Sequence, residues 1–206
     1  MEQILLTNIN GYNIIMIVWN LFLAFIPCII VYQMTKSIGK KKWKKLSKHK
    51  IAFILLFLIW LFFFPNTAYL FTIPRHLVNY CDNFDKFRVC LDKQMWIPVF
   101  FFTYAFIGVP TFYYSLNKMS QLFESVFGKL QAKLMRLIVI PLTTIAVMFG
   151  LYERFNTWDV IFRPLNILRI AGSYITDMRM IIDFIVITLF LYFIYLVIGF
   201  IKNNDY

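Results

Sequence analysis

The sequence predicts an all-α integral membrane protein with about five transmembrane helices, its N-terminus outside the cell and its C-terminus in the cytoplasm. Three observations lead to this prediction: the composition, the number of long apolar runs, and the distribution of lysine and arginine. Of the 206 residues, 61% are hydrophobic, 20% are aromatic and only 15% are charged. Soluble domains have about 45–50% apolar and about 25% charged residues. A water-soluble fold of this length could not bury so much apolar surface, so the surrounding solvent is expected to be lipid.

Five segments approach or exceed the length of about 20 apolar residues that a helix needs to cross the hydrocarbon core. They are expected to form one polytopic membrane domain over residues 1–206, with short interfacial helices in the outer loops. No signal-peptide cleavage site follows the first run, so it is expected to remain as a span. If the fourth and shortest run only re-enters the membrane, the C-terminus lies outside instead. The predicted spans are 12–34, 51–71, 96–116, 137–152 and 180–201.

The orientation follows from the basic residues. Eight of the 21 Lys and Arg residues lie in Lys36–Lys50, between the first two spans. Lysine gathered in a short loop beside a span marks the cytoplasmic side, and it also attracts anionic lipid. A nucleic-acid or protein partner for this loop is the alternative, but the net charge of +11 is concentrated at a membrane edge, and no nucleic acid is expected.

The second span ends in FPNTAYLFTIPRHL, where Pro65 and Asn66 interrupt the apolar run while it is still within the bilayer. Proline removes a backbone donor and frees a carbonyl one turn earlier, and a polar amide at this depth needs a partner. Asn66, Tyr69 and Thr72 are therefore expected to face the bundle interior, as is Thr67. Two interpretations remain open: Asn66 bonds to a neighbouring helix, or it lines a ligand cavity.

A second polar group follows the fourth span and is expected on the same outer side. It consists of Arg154, Asn156, Trp158, Asp159 and Arg163. Asp159 and Arg163 have the i,i+4 spacing of a helical ion pair, and Trp with nearby Arg is also typical of the membrane interface. Apolar residues at helical spacing over 156–170 predict an interfacial helix, which Pro164 should break into two short pieces.

Catalytic and metal motifs are largely missing. There is no nucleophile elbow, no metalloprotease motif and no phosphate-cradling glycine loop, so no cofactor is expected. Cys81 and Cys90 lie in an outer loop where a disulfide is permitted, and their spacing does not indicate a metal site. His76 is the one histidine placed for chemistry on the outer side, although a lone histidine beside a membrane interface is more often a hydrated loop residue.

Taken together, the two polar stretches resemble a specific family. FPNTAYLFTIPRHL followed by RFNTWDVIFRP is similar to the bacterial membrane family called domain of unknown function 1361, whose members carry PNAPYxxTDxxHL-like and GRFxRWNSWD-like motifs. Ile73, Leu151 and Phe155 depart from these motifs, and an acid usual near the third span is replaced around Pro98. The resemblance implies a shared topology and a shared outer-face site in a bacterial cytoplasmic membrane, but no reaction. The matching positions are Pro65, Asn66, Tyr69, Thr72, His76 and Leu77, then Gly150, Arg154, Asn156, Trp158 and Asp159.

Two functional hypotheses follow. The first is a non-enzymatic subunit or a binding or transport module, with a polar site on its outer face and a membrane protein or a second copy of itself as partner. The second is an interfacial enzyme acting on a lipid-linked or phosphate-bearing substrate. In the enzyme, His76 would act as the base or acid, and Asp159 would orient the His76 side chain. Arg154 or Arg163 would bind phosphate.

Overall fold

A computed structural model describes residues 8–9, 12–38, 47–80, 96–155 and 158–204. Two short strands, β1 and β2, pair antiparallel before the first helix, and eight α-helices follow in the described part of the chain. A 3-10 helix follows α3, and a π-helical turn follows α5. The bounds are β1 Asn8–Ile9, β2 Tyr12–Asn13, α1 Ile14–Ile38, α2 Ser47–Phe63, α3 Pro65–Tyr69, 3-10 Leu70–Tyr80, α4 Trp96–Phe127, α5 Lys129–Met148, π turn Phe149–Glu153, α6 Asp159–Phe162, α7 Pro164–Thr176 and α8 Met178–Asn204.

Five helical stretches of the described chain are long and apolar enough to cross a membrane, which confirms the predicted all-α fold with five spans. The first span is α1, the second is α2 with α3, the third is α4, the fourth is α5 with the π turn, and the fifth is α8. Their apolar windows lie within Ile15–Ser37, Ile51–Arg75, Pro98–Phe127, Lys129–Glu153 and Met178–Lys202. The orientation in the membrane remains a prediction, as does the cytoplasmic position of the lysine-rich loop, of which residues 39–46 lie outside the described residues.

The third and fourth spans are longer than the sequence indicated. The third helix continues to Phe127 and the fourth begins at Lys129, so the predicted connection between residues 117 and 136 is almost entirely helical. Its charged residues end the apolar runs without ending the helices, because lysine and glutamate are good helix formers. The reversal occurs at Gly128, whose φ of 106° suits a glycine. The fourth span is thus a 25-residue helical stretch, long enough to cross completely.

The third span is the centre of the bundle, since it packs against the first span, the 3-10 helix and the fourth span. It approaches the end of the second span closely at Gly108. A Cβ atom there would lie 3.0 Å from the carbonyl oxygen of Thr67 and 3.1 Å from Cβ of Leu70. Small residues allow such backbone contact in membrane bundles. Elsewhere, large aromatic side chains pack between the second and third spans, as Phe53 does against Phe123 and Phe127.

A few hydrogen bonds join the spans through the core. The indole of Trp60 donates to the hydroxyl of Ser115 at 2.8 Å, and both residues are fully buried. Thr188 of the fifth span donates to Thr144 of the fourth at 3.0 Å. Such bonds hold helices together in lipid, where apolar association alone contributes little.

The segment after the fourth span forms the two short helices that the sequence predicts, α6 and α7. The helix is interrupted between them at Arg163, directly before Pro164. None of the residues of α7 is buried, and its apolar side chains are open, with Leu165 81% and Leu168 68% exposed. An amphipathic helix with this pattern is typical of the membrane surface. It lies beside the start of the fifth span, which it contacts.

Candidate functional site

The two polar groups found in the sequence meet around one cavity of about 520 Å³. The cavity lies where the start of the first span meets the ends of the second and fourth spans, and α6 and α7 supply part of its wall. Its described polar lining comes from three parts of the chain that are far apart in sequence. These residues are Asn20, Asn66, Tyr69, Arg75, Arg154 and Trp158.

The break in the second span provides one wall. Pro65 starts the new helix α3, and the polar side chains that follow bond to carbonyl oxygens beside the break. The Asn66 amide donates to the carbonyl of Phe63 at 2.8 Å, and the Thr67 hydroxyl donates to that of Phe64 at 2.8 Å. Asn66 therefore bonds to the backbone of its own span and also lines the cavity. A bond from Asn66 across to a neighbouring helix, and a ligand in the cavity, both stay predictions.

The π turn at the end of the fourth span provides the opposite wall. Gly150 lies against the ring of Tyr69, and a Cβ atom at this position would be 3.0 Å from Cε2 of that ring. A side chain at position 150 would push the ring away, because 3.0 Å is well inside the ordinary contact distance between carbon atoms. The glycine that the family motif places here thus allows the second and fourth spans to approach each other.

Arg75 connects these two walls. Its guanidinium donates to the carbonyl oxygen of Leu151 at 3.1 Å and to the hydroxyl of Tyr69 at 3.3 Å. Both acceptors are neutral, so neither of these hydrogen bonds cancels the positive charge of Arg75. A carbonyl near a helix end has no partner within the helix, and Arg75 supplies one.

Arg154 lies in the left-handed helical region, with φ 56° and ψ 31°, directly after the π turn. The turn is closed by a hydrogen bond of 3.2 Å from the amide of Phe155 to the carbonyl of Phe149. This conformation costs a non-glycine residue about 1–2 kcal/mol. Strained backbone of this kind is concentrated at functional sites, and here it belongs to a residue that lines the cavity.

The described lining of the cavity carries two arginines and no aspartate or glutamate. Glu153, next to Arg154, accepts a hydrogen bond of 3.2 Å from Tyr174, and Asp183 of the fifth span accepts one of 2.5 Å from Tyr152. None of these four residues lines the cavity. Burial and then the Glu153 carboxylate raise the pKa of Tyr174, so its hydroxyl remains a donor to that carboxylate. The described cavity wall is consequently positive.

The remaining predicted site residues are placed as follows. Asp159 and Arg163 form the predicted i,i+4 ion pair, with 4.0 Å between the two charged groups, and neither lines the cavity. Thr72 donates to the carbonyl of Tyr69 and also lies outside the lining. The backbone at His76 belongs to the 3-10 helix, but its side chain lies outside the described residues, as do Asn156, Cys81 and Cys90.

Sequence reasoning missed two polar lining residues, Asn20 and Arg75. Arg75 stands inside the first motif, and its role depends on the 3-10 geometry that turns it toward the fourth span. Asn20 is an amide within the apolar run of the first span. A polar amide inside a span needs a polar neighbour, so Asn20 was identifiable from the sequence in the same way as Asn66.

Comparison with known proteins gives one result. Residues 19–200 match the sequence profile of a family described as "Protein of unknown function (DUF1361)". The match confirms the family indicated by the two motifs and extends it over nearly the whole chain. No curated protein and no solved structure shows significant similarity to the chain.

Proposed function

The chain belongs to the DUF1361 family, and we propose that it is a membrane-embedded binding protein whose cavity holds an anionic group with Arg75 and Arg154. The cavity is assigned to the outer end of the bundle, as the lysine distribution predicts. The group bound is a phosphate or carboxylate, since guanidinium donors match the geometry of these anions with paired hydrogen bonds.

The observation that carries the proposal is the uncompensated charge of the cavity. Two arginines line it, and among the described residues neither forms an ion pair. An anion bound by both arginines gains charge-assisted hydrogen bonds. Its attraction to them is stronger near a bilayer than in bulk water, because the effective dielectric constant is lower.

The enzyme hypothesis receives less support from the described residues. The acid that would orient His76, Asp159, is paired with Arg163 and does not line the cavity. Its proton-transfer group, His76, has a side chain outside the described residues. A binding or transport role needs only the cavity and its two cations, and is therefore the function that we propose.

Thermal unfolding of the purified protein in detergent tests the proposal. A bound ligand stabilises the folded state by an amount that grows with its concentration above Kd. We expect glycerol phosphate to raise Tm more than sodium chloride of equal ionic strength does. The rise should be lost in Arg75→Gln and Arg154→Gln.

The matched control is Arg169→Gln, which removes an exposed arginine of α7 that does not line the cavity. This variant should keep the full response to glycerol phosphate. A response that matches that of chloride, or one that survives in the double variant of Arg75 and Arg154, would refute the proposal.

A further inference from the structure

The walls of the cavity change character with depth. Its arginines lie at the ends of the second and fourth spans, where those helices leave the predicted hydrocarbon region. Leu23 and Val147 line it farther inside, about 9–12 Å from the ends of their spans at about 1.5 Å per residue. A ligand that fills the cavity therefore meets cations at one end and hydrocarbon side chains at the other.

The size of the cavity also points to more than a small anion. Its volume of about 520 Å³ is within the range of about 300–1,000 Å³ that holds drug-sized organic ligands. A phosphate ion bound by the arginines would leave the apolar part of the cavity without an apolar group to fill it. An amphiphile satisfies both parts.

The cavity has an exposed rim beside the first span. Met16 of the first span and Val160 of α6 both line the cavity, and each is 51% exposed. The first and fourth spans pack on α3 and pack less against each other. Since α1 and α5 are both spans, an opening between them is expected to face lipid.

Aromatic side chains mark the height of this opening. Trp19 of the first span and Trp158 before α6 have ring centroids 6.4 Å apart, and both line the cavity. Tryptophan is enriched at the level of the lipid headgroups. Ile167 of the amphipathic helix α7 also lines the cavity. These interfacial features favour a position of the arginines at the depth of lipid phosphates.

From this arrangement we infer that the ligand is an anionic phospholipid that enters sideways from the bilayer between the first and fourth spans. Its phosphate binds Arg75 and Arg154, and its acyl chains extend past Leu23 and Val147 toward the bilayer. The inference rests on the proposed function, because it names the bearer of the anionic group. The other bearer of the same chemistry is a soluble phosphate ester.

Site-specific photo-crosslinking in nanodiscs separates these two sources. The nanodiscs contain phosphatidylglycerol as the minor component in phosphatidylcholine, whose choline group offsets its phosphate. A benzophenone amino acid replaces Met16, at the rim of the opening, or Val18 as a control. Val18 is 60% exposed and lies almost opposite on the same helix, only about 3 Å deeper.

We expect phosphatidylglycerol to be enriched several-fold over its bulk fraction in the lipid crosslinked at position 16, and not in that crosslinked at position 18. The enrichment should disappear in the double variant Arg75→Gln with Arg154→Gln. Bulk composition at position 16, together with an intact response to glycerol phosphate in detergent, overturns the lipid inference and leaves the binding proposal standing.

Two further results are decisive. Enrichment that persists without the two arginines means that the lipid is held by the general interface, and it overturns the inference. Bulk composition at position 16 together with no response to glycerol phosphate overturns both proposals.

Discussion

Arg75 and Leu151, 76 positions apart in the chain, are joined by a hydrogen bond of 3.1 Å from the guanidinium to the carbonyl oxygen. The bond ties the end of the second span to the π turn that ends the fourth. It connects the two sequence motifs into one structural unit. The donor is the positively charged guanidinium of Arg75, and the acceptor is a neutral carbonyl. The contact that assembles the cavity therefore also leaves it positively charged.

Gly150→Ala should disturb this unit without changing any charge. The added methyl group would lie 3.0 Å from the Tyr69 ring, whose hydroxyl accepts a hydrogen bond from Arg75. Overpacking of this kind costs about 1–3 kcal/mol. We expect a lower Tm in detergent and a weaker response to glycerol phosphate.

The control is Gly172→Ala in α7, where a Cβ atom would have no neighbour within 4 Å. This change should stabilise the protein by up to about 1 kcal/mol through the helix propensity of alanine. If Gly150→Ala behaves like Gly172→Ala, the close contact with Tyr69 does not shape the site.

Arg154→Gly should change stability and binding in opposite directions. Glycine adopts the left-handed conformation of this position without the cost of about 1–2 kcal/mol that a side chain bears. The free energy of unfolding should therefore rise by about 1 kcal/mol. The response to glycerol phosphate should fall, because a guanidinium is lost from the cavity.

Arg154→Lys keeps both the charge and the strained backbone, so its stability should remain that of the parent protein. Its response should be intermediate, since an ammonium group cannot form the paired hydrogen bonds of a guanidinium. A decrease in the stability of Arg154→Gly would contradict the view that this arginine is kept in a strained conformation for binding.

The number of spans could be predicted from the sequence because lipid leaves the backbone few choices. Every peptide group in the hydrocarbon core must bond within its own helix, so a long apolar run is almost sufficient to identify a span. Hydropathy indicates which residues lie in lipid, but it does not indicate where a helix ends. For this reason the helical continuation on both sides of Gly128 was missed, although its residues favour a helix.

The candidate site was predictable in part. The polarity of Asn66 and Arg154 within apolar surroundings is visible in the sequence, and both line the cavity. The ion pair of Asp159 with Arg163 is a local i,i+4 contact, and it is confirmed. Whether Asp159 also faces the cavity depends on the rotation of a four-residue helix, which no local pattern specifies. The role of Arg75 likewise depends on the packing of the second span against the fourth.

The orientation in the membrane is a prediction that reporter fusions can check. The lysines of Lys36–Lys50 should keep the first loop in the cytoplasm. Alkaline phosphatase fused after Thr176 should then be active, because this position is expected outside. Green fluorescent protein fused after Tyr206 should fluoresce, because the fifth span returns the chain to the cytoplasm. Active phosphatase after Tyr206 would reverse the assignment of the cavity to the outer side.

The fifth span is joined to the bundle by polar contacts as well as by apolar packing. Only 6% of its apolar window is buried within the chain, which is less than for the other four spans of the described residues. The hydroxyl of Tyr152 donates to Asp183 at 2.5 Å, whereas that of Tyr192 donates to the carbonyl of Leu137 at 2.9 Å. Bonds to charged groups contribute about 1.5–3 kcal/mol, against about 0.5–1.5 kcal/mol for neutral pairs.

Tyr152→Phe should therefore lower the free energy of unfolding by about 1.5 kcal/mol. This value is near the bottom of the range for charged acceptors, because Tyr152 is partly exposed and water competes with its hydroxyl for the carboxylate. Tyr192→Phe is the matched control and should cost about half as much. Combining Tyr152→Phe with Asp183→Asn should cost less than the sum of the two single changes, since the two residues share one bond. The response to glycerol phosphate should persist in all these variants, because none of the three residues lines the cavity. Equal losses for the two tyrosine variants would mean that the fifth span is held by apolar packing and not by the carboxylate of Asp183.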